Sequence, residues 1–133
     1  MHIDDNRKIL IMDENENTRL GLRLLLHEVT EASRLIEIDN AYTALRHIQE
    51  GEPFGLIFTS YEFFAGVAAM KFLWAIRAWQ HPPHLYLITN TYGNNKSAES
   101  FLAAKGSIVL SSSPQAIKNH LTEIIQQAAL YTT

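Results

Sequence analysis

Five short apolar runs, each separated from the next by a segment with helical spacing, constrain this chain more than any other feature. Lys8-Ile9-Leu10-Ile11-Met12, Phe54 to Thr59 and His84 to Thr89 are nearly continuous in apolar residues, the mark of strands buried on both faces. Leu35-Ile36-Glu37-Ile38 alternates more and predicts a strand nearer an edge, and Ser107-Ile108-Val109-Leu110 predicts the fifth. Between them, helical spacing predicts helices carrying Leu20 to Leu26 and ending near Val29, then over 41–49, 67–79 and 96–105. Asn40 is placed to cap the second, Gly51 and Gly106 to end the second and fourth, and Pro82-Pro83 to stop the third. A last helix starts at Pro114, with Ile117, Leu121, Ile124, Ile125 and Ala128 on one face. Strands joined through helices must run parallel, because each crossover carries the chain back to its starting edge. The expected architecture is α/β: one domain over 1–133, core about 8–127, polar tail 1–7, with a five-stranded parallel sheet covered by helices on both faces.

Composition narrows the function. With 47% hydrophobic residues and a net charge of only −3 in 133 residues, the chain is neither disordered nor a nucleic-acid coat acting through bulk charge. It has no cysteine, so it holds no disulfide framework, thiolate zinc site or cysteine nucleophile. The N-terminus, Met1-His2-Ile3-Asp4-Asp5, is polar and acidic, unlike a signal peptide. The longest nearly uncharged stretch, Phe63 to Ile76, is broken by Lys71 and too short for ~30 Å of hydrocarbon. A cytoplasmic domain without nucleic-acid or membrane partners is expected.

In an open parallel sheet, chemistry gathers beyond the carboxyl ends of the strands. Those ends carry Asp13 and Glu14, then Ser60, then Thr89 and Asn90, then Ser111-Ser112-Ser113-Pro114; Asp39-Asn40 ends a strand too far out to join them. The six histidines are scattered, and His81 and His84 flank Pro82-Pro83 at the opposite end of the sheet. No G-x-S-x-G elbow, phosphate-binding loop or dinucleotide fingerprint occurs, so no enzyme is expected.

From Lys8 to about Gln127 these motifs, in order and at these distances, resemble the receiver domain of two-component response regulators, the family of the single-domain chemotaxis regulator. Lys8 to Glu14 followed by Arg19 resembles its opening strand and acidic pair, Ala44-Leu45 its second helix, and Phe54 to Ser60 the strand ending in the phosphorylated aspartate. Leu87-Ile88-Thr89 resembles the strand ending in the switch hydroxyl, and Gly106 to Pro114 the closing glycine-to-lysine-proline segment, whose lysine-proline bond is often cis. The resemblance implies a flavodoxin-like sheet in the order 2-1-3-4-5. It also implies a Mg²⁺ pocket at Asp13 and Glu14, a phosphoryl acceptor at position 60 and a lysine at position 113.

The departures fall on the chemistry. The acceptor position is Ser60, the lysine position is Ser113, the switch aromatic falls at Leu110, and Asn90 stands where a small residue is usual. A serine hydroxyl needs a base that nothing nearby supplies well, and Mg²⁺ loses a carboxylate that its octahedral shell would use. No metal or other cofactor is therefore expected, the residual candidates for an ion being Asp13, Glu14 and Glu62. The joint loss is physically coherent, since a lone buried lysine would lack its counter-charge. Plainer readings stand beside these: Asp13 and Glu14 as acids favouring a helix N-terminus, Ser60 as a strand-end hydroxyl, and Ser111 to Ser113 as a turn and cap rather than an anion site.

The expected function is a degenerate, phosphorylation-independent receiver acting as a signalling interaction module, docking to a partner protein or to a second copy, with no DNA-binding output domain following. The alternatives are a small-ligand or anion sensor using a hydroxyl-lined cleft, and unusual phosphoryl chemistry at Ser60. For the interface, Phe63, Phe64 and Trp74 form one candidate patch. Leu110 and Lys118, with Lys96, Ser100, Lys105 and Thr122, mark a second on the family's usual output face. Phe72, Ala75, Ile76 and Trp79 share the opposite, core-facing stripe of the third helix.

Overall fold

The computed structural model describes residues 7–90 and 95–130. Strands β1 (Lys8–Met12), β2 (Leu35–Ile38), β3 (Phe54–Thr59), β4 (His84–Thr89) and β5 (Gly106–Val109) form one parallel sheet in the order β2-β1-β3-β4-β5. Helices α1 (Glu16–His27), α2 (Ala41–Gln49), α3 (Val67–Arg77), α4 (Lys96–Leu102) and α5 (Pro114–Leu130) connect or follow them. The expected doubly wound, flavodoxin-like architecture is the observed one.

The apolar strand runs hide a two-residue alternation that the sheet separates into two cores. Leu10, Met12, Ile57 and Leu87 face one side and pack with Ala44 of α2, Phe72 and Ile76 of α3, and Leu102 of α4. Ile9, Ile11, Phe58 and Ile88 face the other and pack with Leu22 and Leu26 of α1 and with Leu121 and Ile124 of α5. Phe58 and Phe72 are wholly excluded from solvent, each contributing about 1.5–3 kcal/mol of transfer free energy.

Helix ends follow local chemistry where the side chains provide it. Asn15 caps α1, its side-chain oxygen accepting from the backbone N–H of Asn17 at 2.8 Å and of Thr18 at 3.2 Å. Asn40 caps α2 through Thr43 N–H at 2.9 Å. Four expected boundaries shift. The first helix stops at His27 rather than Val29, and the third at Arg77 rather than Trp79. The fourth ends at Leu102, because Ala103 turns left-handed at φ 53°, and Gly106 opens β5 instead of closing that helix. Two 3₁₀ turns, Ala32–Arg34 and Tyr61–Phe64, were not predicted. No peptide bond among the described residues is cis, Ser113–Pro114 included.

The chain leaves β1 toward β2 on one side and later crosses to β3 on the other. The loops after β1 and β3 therefore diverge and open a crevice at their carboxyl ends, the switch point of such sheets.

Candidate functional site

The register pairs Met12 with Thr59, so the next residues, Asp13 and Ser60, leave the sheet side by side. They share a cleft of about 620 Å³ with Glu14, Asn15, Thr18, Tyr61, Glu62, Phe63, Leu87, Ile88, Thr89, Asn90, Asn95, Ala98 and Leu110. The expected residues Asp13, Glu14, Ser60, Glu62, Thr89 and Leu110 thus come to one place.

Asp13 is held on three sides. Its backbone N–H donates to the Ile38 carbonyl at 3.1 Å, continuing the ladder with β2. Its Oδ1 accepts from the Asn15 N–H at 2.7 Å, and its carbonyl accepts from Arg19 Nη1 at 2.6 Å. Arg19 Nε in turn reaches Glu37 Oε1 at 3.4 Å, and Arg23 Nη1 reaches Glu37 Oε2 at 2.5 Å. Glu37, the one acid in the Leu-Ile-Glu-Ile strand, pairs with two guanidinium groups of α1 and ties that helix to the edge of the sheet. Sequence reasoning noticed Arg19 but missed Glu37. A lone charge within an apolar strand was the available signal.

The other walls are simpler. Ser60 is half-buried, and its carbonyl accepts from the buried Thr59 hydroxyl at 3.1 Å. The Thr89 carbonyl accepts from Leu110 N–H at 2.8 Å, which fixes Leu110 at the cleft wall. Tyr61, on the cleft wall, meets Phe101 of α4 edge-on, ring centroids 6.0 Å apart.

One expectation is corrected, and one of the plainer readings holds. Phe63 and Phe64 are not an exposed patch: at 5% and 7% exposure they belong to the core beside Ala69 and Phe72. The 3₁₀ turn after Ser60 rolls both rings inward, where they meet edge-to-face at 5.8 Å. Ser113 does not line the cleft, in keeping with the turn-and-cap reading. It is exposed and caps α5, its Oγ accepting from the Ala116 N–H at 3.2 Å. Ser112 N–H closes a turn onto the Val109 carbonyl at 3.0 Å. The hydroxyl-bearing residues that line the cleft are Thr18, Ser60, Tyr61 and Thr89, not the serine run.

Of the second candidate face, Lys96, Ser100 and Lys105 are exposed. Lys118 is half-buried against Glu28, the C-cap of α1, at 3.7 Å, and Thr122 donates back to the Lys118 carbonyl at 2.9 Å. Trp74 stands out on α3 at 62% exposure, whereas Trp79 stacks on Phe54 with ring centroids 6.3 Å apart.

The charge of the cleft is one-sided. Asp13, Glu14 and Glu62 line it, and no lysine, arginine or histidine does among the described residues. Such a lining repels a free anion and leaves Ser60 without a nitrogen base. Among the described residues no three His, Asp or Glu side chains converge as a metal-binding group. Asp13 Oδ1 is already engaged by Asn15, and Ser60 offers a neutral oxygen, a donor set that does not fit a firmly held Mg²⁺.

No protein-family model matches this sequence, and no curated protein does. Solved structures do. The response regulatory domain of protein mrkE from Klebsiella pneumoniae superposes with a TM-score of 0.72 at 17% identity, over 92% of this chain and 98% of that one. The fold is the receiver fold. A signal receiver domain of a histidine kinase from Clostridium thermocellum matches with a TM-score of 0.69 at 16% identity, covering 89% of this chain and 96% of that one. The chemotaxis response regulator CheY4 of Vibrio cholerae gives 0.69 and 16%, covering 89% and 98%. At such identities the likeness fixes the path of the backbone, and activity must be argued from the site. Among the described residues no helix is long and apolar enough to cross a membrane.

Proposed function

We propose that this chain is a receiver-fold signalling module that works without phosphoryl transfer, by binding another protein. The observation that carries the reading is the pair at the switch point. Asp13 emerges beside a neutral Ser60, so the carboxylate that would attack a phosphoryl group is absent from the end of β3. Position 113, where the family's lysine would neutralise the product, is a serine engaged in capping α5. A dianionic phosphoryl group in this cleft would face Asp13, Glu14 and Glu62 with no cation among the described lining residues. The cleft is closed to that chemistry by charge rather than by shape.

Titration with beryllofluoride and Mg²⁺, followed through the amide resonances of Ser60, Thr89 and Leu110, tests the reading. Resonances that stay in place support it. A saturable, Mg²⁺-dependent shift at these three positions contradicts it.

A further inference from the structure

A second pocket lies at the opposite end of β1 from the acidic cleft. It has a volume of about 40 Å³ and opens between the amino ends of β1 and β3, the turn after α1 and the last turns of α5. Its charge is the reverse of the cleft's. Arg7, Lys8 and Arg34 line it together with Thr30, and no Asp or Glu does among the described residues, although the whole chain has a net charge of −3. Glu31, next to Thr30 in the chain, is exposed and is not part of the lining. Leu56, Ile125 and Ala128 complete the walls with apolar surface, so an ion entering sheds part of its water and meets the cations through a lower dielectric.

The cations are held in place. Arg7 Nη2 donates to the Ala128 carbonyl near the end of α5 at 3.4 Å, and Lys8 Nζ donates to the Ser33 carbonyl at 3.2 Å. The end of a helix carries about half a negative charge, so the first anchor orients the guanidinium without cancelling it. Gly55 makes room for the arginine. A Cβ at position 55 would stand 3.2 Å from Arg7 Nε and 3.3 Å from its Cζ, so the side chain passes directly over bare glycine backbone. The positive potential is felt beyond the pocket: burial first, then Lys105 and Arg7, hold His84 of β4 below its ordinary pKa.

Size selects the ligand. One water needs ~10–15 Å³ of such space, so the pocket takes about three. That is the room of one planar carboxylate; a phosphate is larger, and a nucleotide larger still. Guanidinium forks match the two oxygens of a carboxylate. We infer that this pocket recognises a single carboxylate group, bound by Arg7 and Arg34 with Lys8 and Thr30 beside it. The inference stands apart from the phosphoryl question, because the pocket shares no lining residue with the cleft.

The test is titration of the intact chain with sodium acetate replacing sodium chloride at constant ionic strength, followed through the amide resonances of Arg7, Thr30, Gly55 and Leu56. Saturable shifts at these positions, with Ser60 and Thr89 unmoved, support the inference. So does an affinity lowered about tenfold or more in Arg34→Gln and in Gly55→Ala. Gly55→Ala keeps every charge and displaces only Arg7, so it separates a built site from diffuse positive potential. Melting in chloride verifies each fold; if the buried alanine prevents folding, Arg34→Gln and Lys8→Gln carry the test. Shifts that grow without saturation, binding indifferent to these variants, or a tighter response to phosphate than to acetate would each overturn the inference. A capped tripeptide with a central aspartate distinguishes the sources of the group. If it acts as acetate does, a side-chain carboxylate of another protein can fill the pocket; if acetate acts alone, the occupant is a free small acid, and either result supports the inference. Silence from both overturns it and leaves the reading of the acidic cleft standing.

Discussion

Ser60→Asp restores the family's acceptor in one step, and the geometry says what it should cost. Asp13 and residue 60 follow a paired register position, so the two carboxylates would sit roughly 6 Å apart, about one strand spacing plus side-chain divergence. Two like charges at ~6 Å repel by about 0.7 kcal/mol in water and about 2.8 kcal/mol at an effective dielectric of 20. Because Ser60 is half-buried, the expected loss lies between these, about 1–2 kcal/mol at pH 7. For a domain of this size that lowers the melting temperature by ~4–8 °C. Repulsion raises the new carboxyl's folded-state pKa above its unfolded value of about 3.9. The folded variant then holds a proton that the unfolded chain has released, so its deficit opens as pH rises through that window and vanishes below it. Millimolar Mg²⁺ should recover part of the loss in the variant and leave the wild type unmoved. Calorimetry from pH 3 to 8, with and without Mg²⁺, reads all three effects. A Ser60→Asp variant as stable as wild type at pH 7 without metal would refute the reasoning, because it would require a cation beside that position.

The cap assigned to Ser113 predicts that Ser113→Lys loses about 1 kcal/mol in urea unfolding, through a missing N-cap and a cation at a helix N-terminus; a neutral result would remove that role. Glu37→Gln should cost about 1–2 kcal/mol by freeing Arg19 and Arg23, with amide shifts carried to Asp13, and shifts confined to α1 would contradict the relay. Phe58→Ala should cost about 3–5 kcal/mol in the same assay, since the ring is wholly buried between the sheet and its helices. Burial, then the nearby positive charges of Lys105 and Arg7, hold His84 below the ordinary histidine value of 6.5. The unfolded chain therefore takes up the proton first, and stability should fall as pH drops below about 6.5. Melting scans of wild type and His84→Gln between pH 5 and 8 should show a shallower slope in the variant.

The sheet was legible in the sequence because strands buried on both faces leave continuous apolar runs. The order of those runs, with their family resemblance, placed Asp13, Ser60 and Thr89 at one edge. What escaped depended on local backbone geometry. Ala103 adopts the left-handed conformation without a glycine to announce it, so α4 ended early and Gly106 was misassigned to its end. The turn at Tyr61–Phe64 carries two adjacent phenylalanines, and no periodicity in a four-residue segment says which way they point. They turn inward, while Trp74, set apart by its angle from the Phe72–Ile76 stripe, faces out. Ser113 sits one residue before a helix in a run of hydroxyls, so a cap was legible there, and the direction of its Oγ decides for it over a cleft wall.

The pocket's inability to carry a phosphoryl group is the claim on which the functional account turns, and intact mass measurement tests it most directly. Wild type and Ser60→Asp are incubated side by side with acetyl phosphate and Mg²⁺. The account predicts that the wild-type mass stays unchanged at every time point. A stoichiometric, Mg²⁺-dependent gain of one phosphoryl group on the wild-type chain would contradict it.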